Sequence, residues 1–263
     1  MSTVQNILDA LFMLAPENLR EDWDNVGLLC GHPEREVNRI LVALDASDAS
    51  LSEAERLGCQ LLVTHHPVNF AGVKKLTPAN VTGKHLLFAA EKGIACVNLH
   101  TNLDSVSGGV NDLLADRLGM INVTMPAPRG VDAQGREFGY LRVGTVPRQT
   151  LCEFAAFVKQ RLSCPGVRFC DGGRPVFRVA VGGGECGDEI DTALAAGCDT
   201  FVTSDLKYHQ FCDAADSGLN LVDAGHFETE SPVCTLLVSF LREKFPQTET
   251  LLSRDHGDVV RFL

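Results

Sequence analysis

Apolar residues recur at helical spacing at the start of the chain. Six of them fall on one helix face, namely Val4, Ile7, Leu8, Leu11, Phe12 and Leu14. Ser2 or Thr3 precedes this face and is a residue type that caps helix N-termini. The pattern predicts an amphipathic helix over residues 3–14.

Short apolar runs then alternate with segments of helical pattern. The runs are Arg39–Leu44, Gln60–Thr64 and Ile94–Leu99. Between them lie a helical segment that ends at Gly58 and another around residues 85–92, which ends before Gly93. Buried strands that alternate with helices are typical of an α/β fold with a mostly parallel sheet.

The same pattern recurs in the second half of the chain. Residues 178–187 resemble the run that starts at Arg39, 193–205 resemble 54–66, and 214–226 resemble 89–101. Chance similarity between βαβ units is the alternative explanation. We predict an internal duplication with two related βαβ lobes, 1–125 and 126–263. The boundary falls in the segment 126–139, which is rich in Pro, Gly and charge.

Composition narrows the class of protein. The 263 residues are 45% hydrophobic, with a mean hydropathy of +0.05. No apolar run reaches the roughly 18 residues that span a bilayer, and the N-terminal segment carries acidic groups rather than a basic region. Ten cysteines are scattered and never form a CxxC motif, which favours buried, reduced thiols. We therefore expect a cytoplasmic protein without export or a membrane anchor.

The net charge restricts the partners. Lys and Arg number 23 and Asp and Glu number 34, which gives 23 − 34 = −11. This charge repels phosphate backbones, so direct nucleic-acid binding is unfavourable. A small anionic substrate is compatible with the sequence if lysines or metal ions reverse the sign locally.

Side chains that bind metals follow the predicted strands. In parallel α/β sheets ligands collect at the carboxyl ends of strands. His65 and His66 follow the second run, Asp104 lies just after the third, and His226 follows the last strand of lobe two, with Glu230 one helical turn further on. Adjacent histidines that leave a strand point in different directions, so they suit two neighbouring ions better than one.

Three imidazoles and two carboxylates suit two divalent ions of Zn, Mn, Fe, Co or Ni. A carboxylate can bridge two ions about 3.5–4 Å apart, as in two-metal hydrolases. The alternative is that His65 and His66 are surface or hydrogen-bonded loop residues. The paired His and Glu and the Asp at equivalent strand ends favour metal binding, and we predict that the metals lie at the lobe interface.

Four motifs in order carry a family resemblance: EDWDNVGL (21–28), HHPV (65–68) continued by KKLTP (74–78), HTNLD (100–104) and GHFETE (225–230). The chain resembles the Ngg-interacting-factor-3-like family, whose members are often labelled GTP cyclohydrolase 1 type 2 homologs. The resemblance implies a dinuclear metal centre on the five residues above and a homohexameric ring around a cavity. It also implies a short form, without the long domain that some members insert between the lobes.

Other residues receive more open interpretations. His100 and His209 are candidate catalytic acid/base groups or supports for the metal ligands, and a structural role is the alternative. Lys74 and Lys75 are either triphosphate contacts or solvent-exposed loop residues. Trp23 either closes one edge of the cleft or packs in the core. The run Gly182–Gly184 is a weak phosphate-cradle motif, whose alternative is a plain turn.

Two functions fit these observations. The first is a dinuclear metal-dependent hydrolase, GTP cyclohydrolase 1 type 2-like, that acts on a small molecule such as a nucleotide or a related cyclic amide. The second is a non-catalytic metal-binding, metal-insertion or adaptor protein that forms a ring scaffold. The sequence has neither an evident nucleophile nor a substrate-reading motif that would separate them.

Overall fold

A computed structural model describes residues 2–263, which fold into fifteen strands and ten α-helices. The strands are β1 (Ser2–Thr3), β2 (Gly27–Cys30), β3 (Glu36–Val37), β4 (Arg39–Ala43), β5 (Leu61–Thr64), β6 (Ala95–Asn98), β7 (Ile121–Thr124), β8 (Gly130–Val131), β9 (Glu137–Phe138), β10 (Arg142–Gln149), β11 (Arg168–Cys170), β12 (Val176–Glu185), β13 (Thr200–Ser204), β14 (Asn220–Asp223) and β15 (Glu249–Leu252). The helices are α1 (Val4–Leu14), α2 (Asp48–Arg56), α3 (Val81–Lys92), α4 (Thr101–Ser105), α5 (Val110–Arg117), α6 (Leu151–Leu162), α7 (Ile190–Ala195), α8 (Tyr208–Asp216), α9 (His226–Glu230) and α10 (Pro232–Lys244).

Helix α1 begins where the apolar spacing predicts it. Thr3 is the cap: its Oγ1 accepts a hydrogen bond from the amide of Asn6 at 3.2 Å, and Asn6 Oδ1 accepts one from the amide of Thr3 at 3.1 Å. This reciprocal pair satisfies two backbone donors at the helix start. The buried face of the helix consists of Val4, Ile7, Leu8 and Leu11.

The chain folds into two compact units. The first contains the chain through Leu103 together with Val233–Gly257, and the second contains Asp104–Pro232 and Asp258–Leu263. The lobes 1–125 and 126–263 were inferred from repeated sequence patterns rather than from contacts, and the duplication stays a prediction. The units differ from those lobes in two ways. Helix α10 and strand β15 belong to the first unit although they come late in the chain, and the segment 104–125, with the predicted ligand Asp104, belongs to the second.

The sheet of the first unit has the strand order β15-β4-β5-β6-β2. The pairs β15–β4, β4–β5 and β5–β6 are parallel, and β2 lies antiparallel to β6. The three predicted apolar runs are the neighbouring strands β4, β5 and β6. Thr64 is in register with Ala43 and Asn98, so the residues that follow these strands leave the sheet at one edge.

The sheet of the second unit has the order β11-β14-β13-β12-β10-β7. Its centre, β12, β13 and β14, is parallel, and antiparallel strands flank it on both sides. Together the two sheets confirm the predicted α/β class, in which helices connect mostly parallel strands.

Both faces of the second sheet are covered. Val202 and Val222 pack into one apolar cluster with Phe154 of α6, while their neighbours Phe201 and Leu221 pack into another cluster. Successive side chains of a strand point to opposite faces. Burial on both faces therefore explains why the apolar residues of these strands are adjacent, Phe201 beside Val202 and Leu221 beside Val222, rather than alternating with polar ones.

Six of the ten cysteines are buried, as the sequence predicts: Cys59, Cys96, Cys164, Cys186, Cys198 and Cys234. The prediction is wrong for Cys152, which is exposed, and the other three are half-buried. Burial raises the pKa of the Cys59 and Cys198 thiols to about 11, so both stay protonated at neutral pH. Among the described residues, no helix combines the length and the apolar character needed to cross a membrane.

Candidate metal centre

Three histidines gather at the carboxyl edge of the first sheet. His65 and His66 directly follow β5, and His100 follows β6 after one intervening residue. One ring nitrogen of each histidine lies within 4.8 Å of one ring nitrogen of each of the other two. We call these three residues the histidine cluster. His100, predicted as an acid/base group, lies in this cluster with two predicted ligands.

The rings of His65 and His66 do not diverge as expected for consecutive strand residues. Their centroids are 4.9 Å apart and their planes meet at 46°. The amides of both residues donate to one carbonyl, that of Leu44 after β4, at 3.2 and 2.9 Å. The regular pairing of β5 with its neighbours ends at Thr64. His65 and His66 therefore lie beyond the strand, where successive side chains no longer alternate in direction.

Each ring of the histidine cluster is oriented through Nδ1. His65 Nδ1 lies 2.9 Å from the carbonyl oxygen of Leu99, His66 Nδ1 2.6 Å from Asp45 Oδ1, and His100 Nδ1 2.8 Å from Asp24 Oδ1. A carbonyl or carboxylate oxygen only accepts, so Nδ1 carries the proton and Nε2 carries the lone pair. A metal-binding histidine is held in this way, by an oxygen acceptor on its other nitrogen.

Asp24 and Asp45 are the acceptors whose role the sequence reasoning missed. Asp24 also accepts from the amide and hydroxyl of Thr101, at 3.0 and 2.5 Å. Burial opposes ionisation of Asp24, but the bonds from His100 and Thr101 outweigh it and lower its pKa to about 2. Burial likewise opposes ionisation of Asp45, and two histidine partners hold its pKa below the usual range. A search for carboxylates after strands would have found Asp45, which follows β4.

Two exposed aromatic rings lie beside His100. Residue Trp23 is 62% exposed, and its ring centroid is 6.0 Å from that of His100, edge to face. Residue Phe70 is 52% exposed, and its ring centroid is 5.5 Å from that of His100, also edge to face. Trp23 is therefore not a core residue, and the alternative that placed it at an edge of the site describes its position better.

The second unit places His226 and Glu230 on α9. His226 Nε2 and Glu230 Oε2 are 3.0 Å apart, which confirms the predicted contact across one helical turn. His226 Nδ1 lies 2.7 Å from Asp205 Oδ2, so this ring too is oriented by a carboxylate. Asp205 follows β13 and has a left-handed backbone, with φ of 53°.

Asp104 completes a carboxylate pair in the second unit. An oxygen of Asp104 and an oxygen of Glu230 lie within 4.8 Å of each other, although the two residues are only 9% and 4% exposed. Two ionised carboxylates this close repel, and burial strengthens the repulsion. A divalent cation removes it, and oxygen with imidazole nitrogen forms a donor set that such cations accept. The residues present thus fit a metal site.

The glycine run packs against Glu230 and is neither a turn nor a loop. Gly182, Gly183 and Gly184 lie within β12. A Cβ on Gly184 would lie 2.0 Å from Glu230 Oε1, and its φ of +64° is left-handed. The amide of Gly184 also donates to Thr229 Oγ1 at 3.0 Å. The run therefore gives room to Glu230, a role that a phosphate-cradle motif does not describe.

The remaining candidates lie on the surface. His209 is exposed on α8, and its ring lies 5.5 Å from that of its neighbour Tyr208. Lys74 and Lys75 are exposed in the segment between β5 and α3. The clustered His, Asp and Glu side chains are the ones that could hold a metal ion.

Comparison with known families identifies the fold. The model of the Duf34/NIF3 (NGG1p interacting factor 3) family matches residues 2–256. The chain belongs to this family. The resemblance inferred from the four motifs is thereby confirmed.

Relatives in this family match over nearly the whole chain. A Clostridium perfringens protein named GTP cyclohydrolase 1 type 2 homolog is 31% identical, with 99% of each chain covered. A Streptomyces coelicolor protein of the same name is 37% identical over 92% of this chain and 87% of its own. The crystal structure of a Bacillus cereus protein related to NIF3 superimposes with a TM-score of 0.92 at 24% identity, covering 100% of this chain and 99% of the other. That structure shows the shared fold.

Proposed function

We propose that this protein is a dinuclear metal-dependent hydrolase that acts on a nucleotide or a related cyclic amide. The observation that best supports this proposal is the buried pair of Asp104 and Glu230, which have carboxylate oxygens within 4.8 Å of each other. We assign His65, His66, Asp104, His226 and Glu230 as ligands of two divalent ions, with Zn, Fe, Mn, Co and Ni all compatible with this mixed set.

When bound, two such ions supply Lewis-acid charge and a water that is deprotonated near neutral pH. The protein's own groups do the rest. Asp45 holds the ring of His66 with its lone pair on Nε2, and Asp205 orients the ring of His226 through Nδ1. Asp24 holds His100, whose Nε2 can take a proton from a reacting group and return it. His209 is exposed, and no contact of its ring supports a similar role within residues 2–263.

The substrate class rests on two supports. Relatives 31% and 37% identical carry the name GTP cyclohydrolase 1 type 2 homolog. The exposed rings of Trp23 and Phe70 beside His100 are a surface on which a planar heterocycle can stack. The net charge of −11 makes a metal ion or a local lysine necessary for a phosphorylated substrate.

The test is turnover of a panel of nucleotides and cyclic amides by protein of defined metal content. We expect His66→Ala and Glu230→Ala to lose both bound metal and turnover. His32→Ala serves as a matched control, because this exposed histidine lies outside the histidine cluster, and it should retain both.

Turnover that persists in His66→Ala or Glu230→Ala protein would contradict the hydrolase. Delivery of metal to an apo-protein without any turnover would favour the metal-insertion function instead. Elemental analysis of the same samples separates these outcomes from simple loss of metal.

A further inference from the structure

Asp45 has both carboxylate oxygens occupied by imidazoles. Its Oδ1 accepts from His66 Nδ1 at 2.6 Å, and its Oδ2 lies 2.9 Å from Nε2 of His256. His256 comes more than 200 residues after Asp45 and lies near the end of the chain. Its side chain is only 8% exposed. The two histidines thus hold one carboxylate from two sides.

The segment that carries His256 is anchored on α2. The buried carboxylate of Glu53 accepts hydrogen bonds from Ser253 Oγ at 2.5 Å and from the amides of Arg254 and Asp255 at 3.1 and 3.2 Å. Arg56, also on α2, pairs with Asp255 at 2.6 Å. These bonds fix the turn after β15, from which the side chain of His256 extends.

The ring of His256 is itself held in one orientation. Its amide donates to Ser253 Oγ at 3.2 Å, and its Nδ1 lies 3.3 Å from Ser47 Oγ. Because Nδ1 lies near a hydroxyl, which can donate, Nε2 can carry the proton that Asp45 accepts. The geometry therefore directs an N–H group at Asp45 Oδ2.

We propose that His256 is a positioning residue for the histidine cluster and acts on His66 through Asp45. A carboxylate with a single hydrogen bond can turn about its Cβ–Cγ bond, whereas one held at both oxygens cannot. The second bond therefore fixes the direction in which Asp45 presents Oδ1, and with it the ring plane of His66. The inference rests on the proposed role of His66 as a metal ligand.

The test compares Co²⁺ affinity, measured by competition with a chromophoric chelator, in full-length variants. His256→Ala removes the bond to Asp45 and should weaken Co²⁺ binding by about tenfold, the smaller effect typical of groups that support a ligand. His256→Gln places an amide N–H near the position of Nε2 and should restore the affinity to within about threefold.

His85 offers a matched control. Its Nε2 lies 3.1 Å from the carboxylate of Asp48, in the same kind of pair, and this pair lies outside the histidine cluster. His85→Ala should bind Co²⁺ like the wild type. Thermal unfolding of the metal-free proteins shows whether the two alanine variants lose similar stability, so a purely structural effect would appear in both.

Wild-type affinity in His256→Ala protein would overturn the proposal, as would an equal loss in His85→Ala protein. If His256→Ala does not fold, His256→Asn replaces it. Its amide is one methylene shorter and falls short of Asp45, so it should bind about tenfold more weakly than His256→Gln, and equal affinities would contradict us. The readout is affinity, so a lack of hydrolase turnover would refute only the hydrolase.

Discussion

Gly184 shows how a single position limits the chemistry of the second unit. No side chain fits there, because a Cβ would lie 2.0 Å from Glu230 Oε1. The carboxylate can approach β12 only where the strand has no side chain. The amide of Gly184 then donates to Thr229, the neighbour of Glu230, so the strand also fixes the backbone of α9.

We therefore expect Gly184→Ala to lose metal and stability together. The left-handed φ of +64° alone costs about 1 kcal/mol with alanine, and displacement of Glu230 adds roughly 1–3 kcal/mol. Bound metal, measured by elemental analysis after dialysis, should fall about tenfold.

Gly197→Ala is the control for backbone strain. Its φ is +73°, and a Cβ there meets nothing within 4 Å. It should lose about 1 kcal/mol in urea unfolding and keep its metal. Equal metal content in both variants would show that Gly184 does not position Glu230.

Sequence reasoning found the candidate residues better than their orientations. His65, His66, Asp104, His226 and Glu230 were located because strand ends and helical spacing are local patterns. The convergence of two amides on Leu44, which brings the rings of His65 and His66 together, depends on a carbonyl about twenty residues earlier. No spacing within the motif signals such a contact.

Helix α1 was predicted from its N-terminal cap and from the apolar residues along one face. Either Ser2 or Thr3 fitted the sequence, and the structure selects Thr3 through its reciprocal bonds with Asn6. The two candidates provide a direct comparison, since they are adjacent and both carry a hydroxyl.

Thr3→Ala should lower the free energy of unfolding by about 1 kcal/mol, because it removes the cap. Ser2→Ala should change it by less than about 0.5 kcal/mol, as is usual for a surface substitution. Urea denaturation followed by circular dichroism measures both. A larger effect for Ser2→Ala would contradict the assigned cap.

The strands of the two sheets were predictable to the extent that burial is continuous along them. In β5 the first three of four positions are apolar, Leu61, Leu62 and Val63, and the structure buries these and Thr64 alike. The short strands β1, β3, β8 and β9 have two residues each and pair only with one another. Two residues carry no periodicity, so these elements could not be read from the sequence.

For the whole molecule, the family resemblance leads us to propose a hexamer. Six chains of 28.4 kDa amount to about 170 kDa. Light scattering coupled to size-exclusion chromatography should give this mass for the metal-loaded wild type. A mass near that of a single chain would refute the ring.

Local sequence patterns could not predict which segments of the chain form the first unit. Arg39 of β4 is in register with Glu249 of β15, and their side chains form an ion pair at 2.6 Å. A pairing between segments 210 residues apart leaves no signature in either one. The sequence therefore placed the last strand with the second half of the chain, whereas its contacts lie with the first.

The pairing of β15 with β4 has a consequence for synthesis on the ribosome. Translation is vectorial, and β4 emerges long before its partner. Until β15 leaves the exit tunnel, the nascent first unit has an unpaired strand edge at β4, the feature that templates aggregation. The same edge stays open in a chain that is terminated before β15. The emergence of β15 is thus the event that covers the open edge of β4.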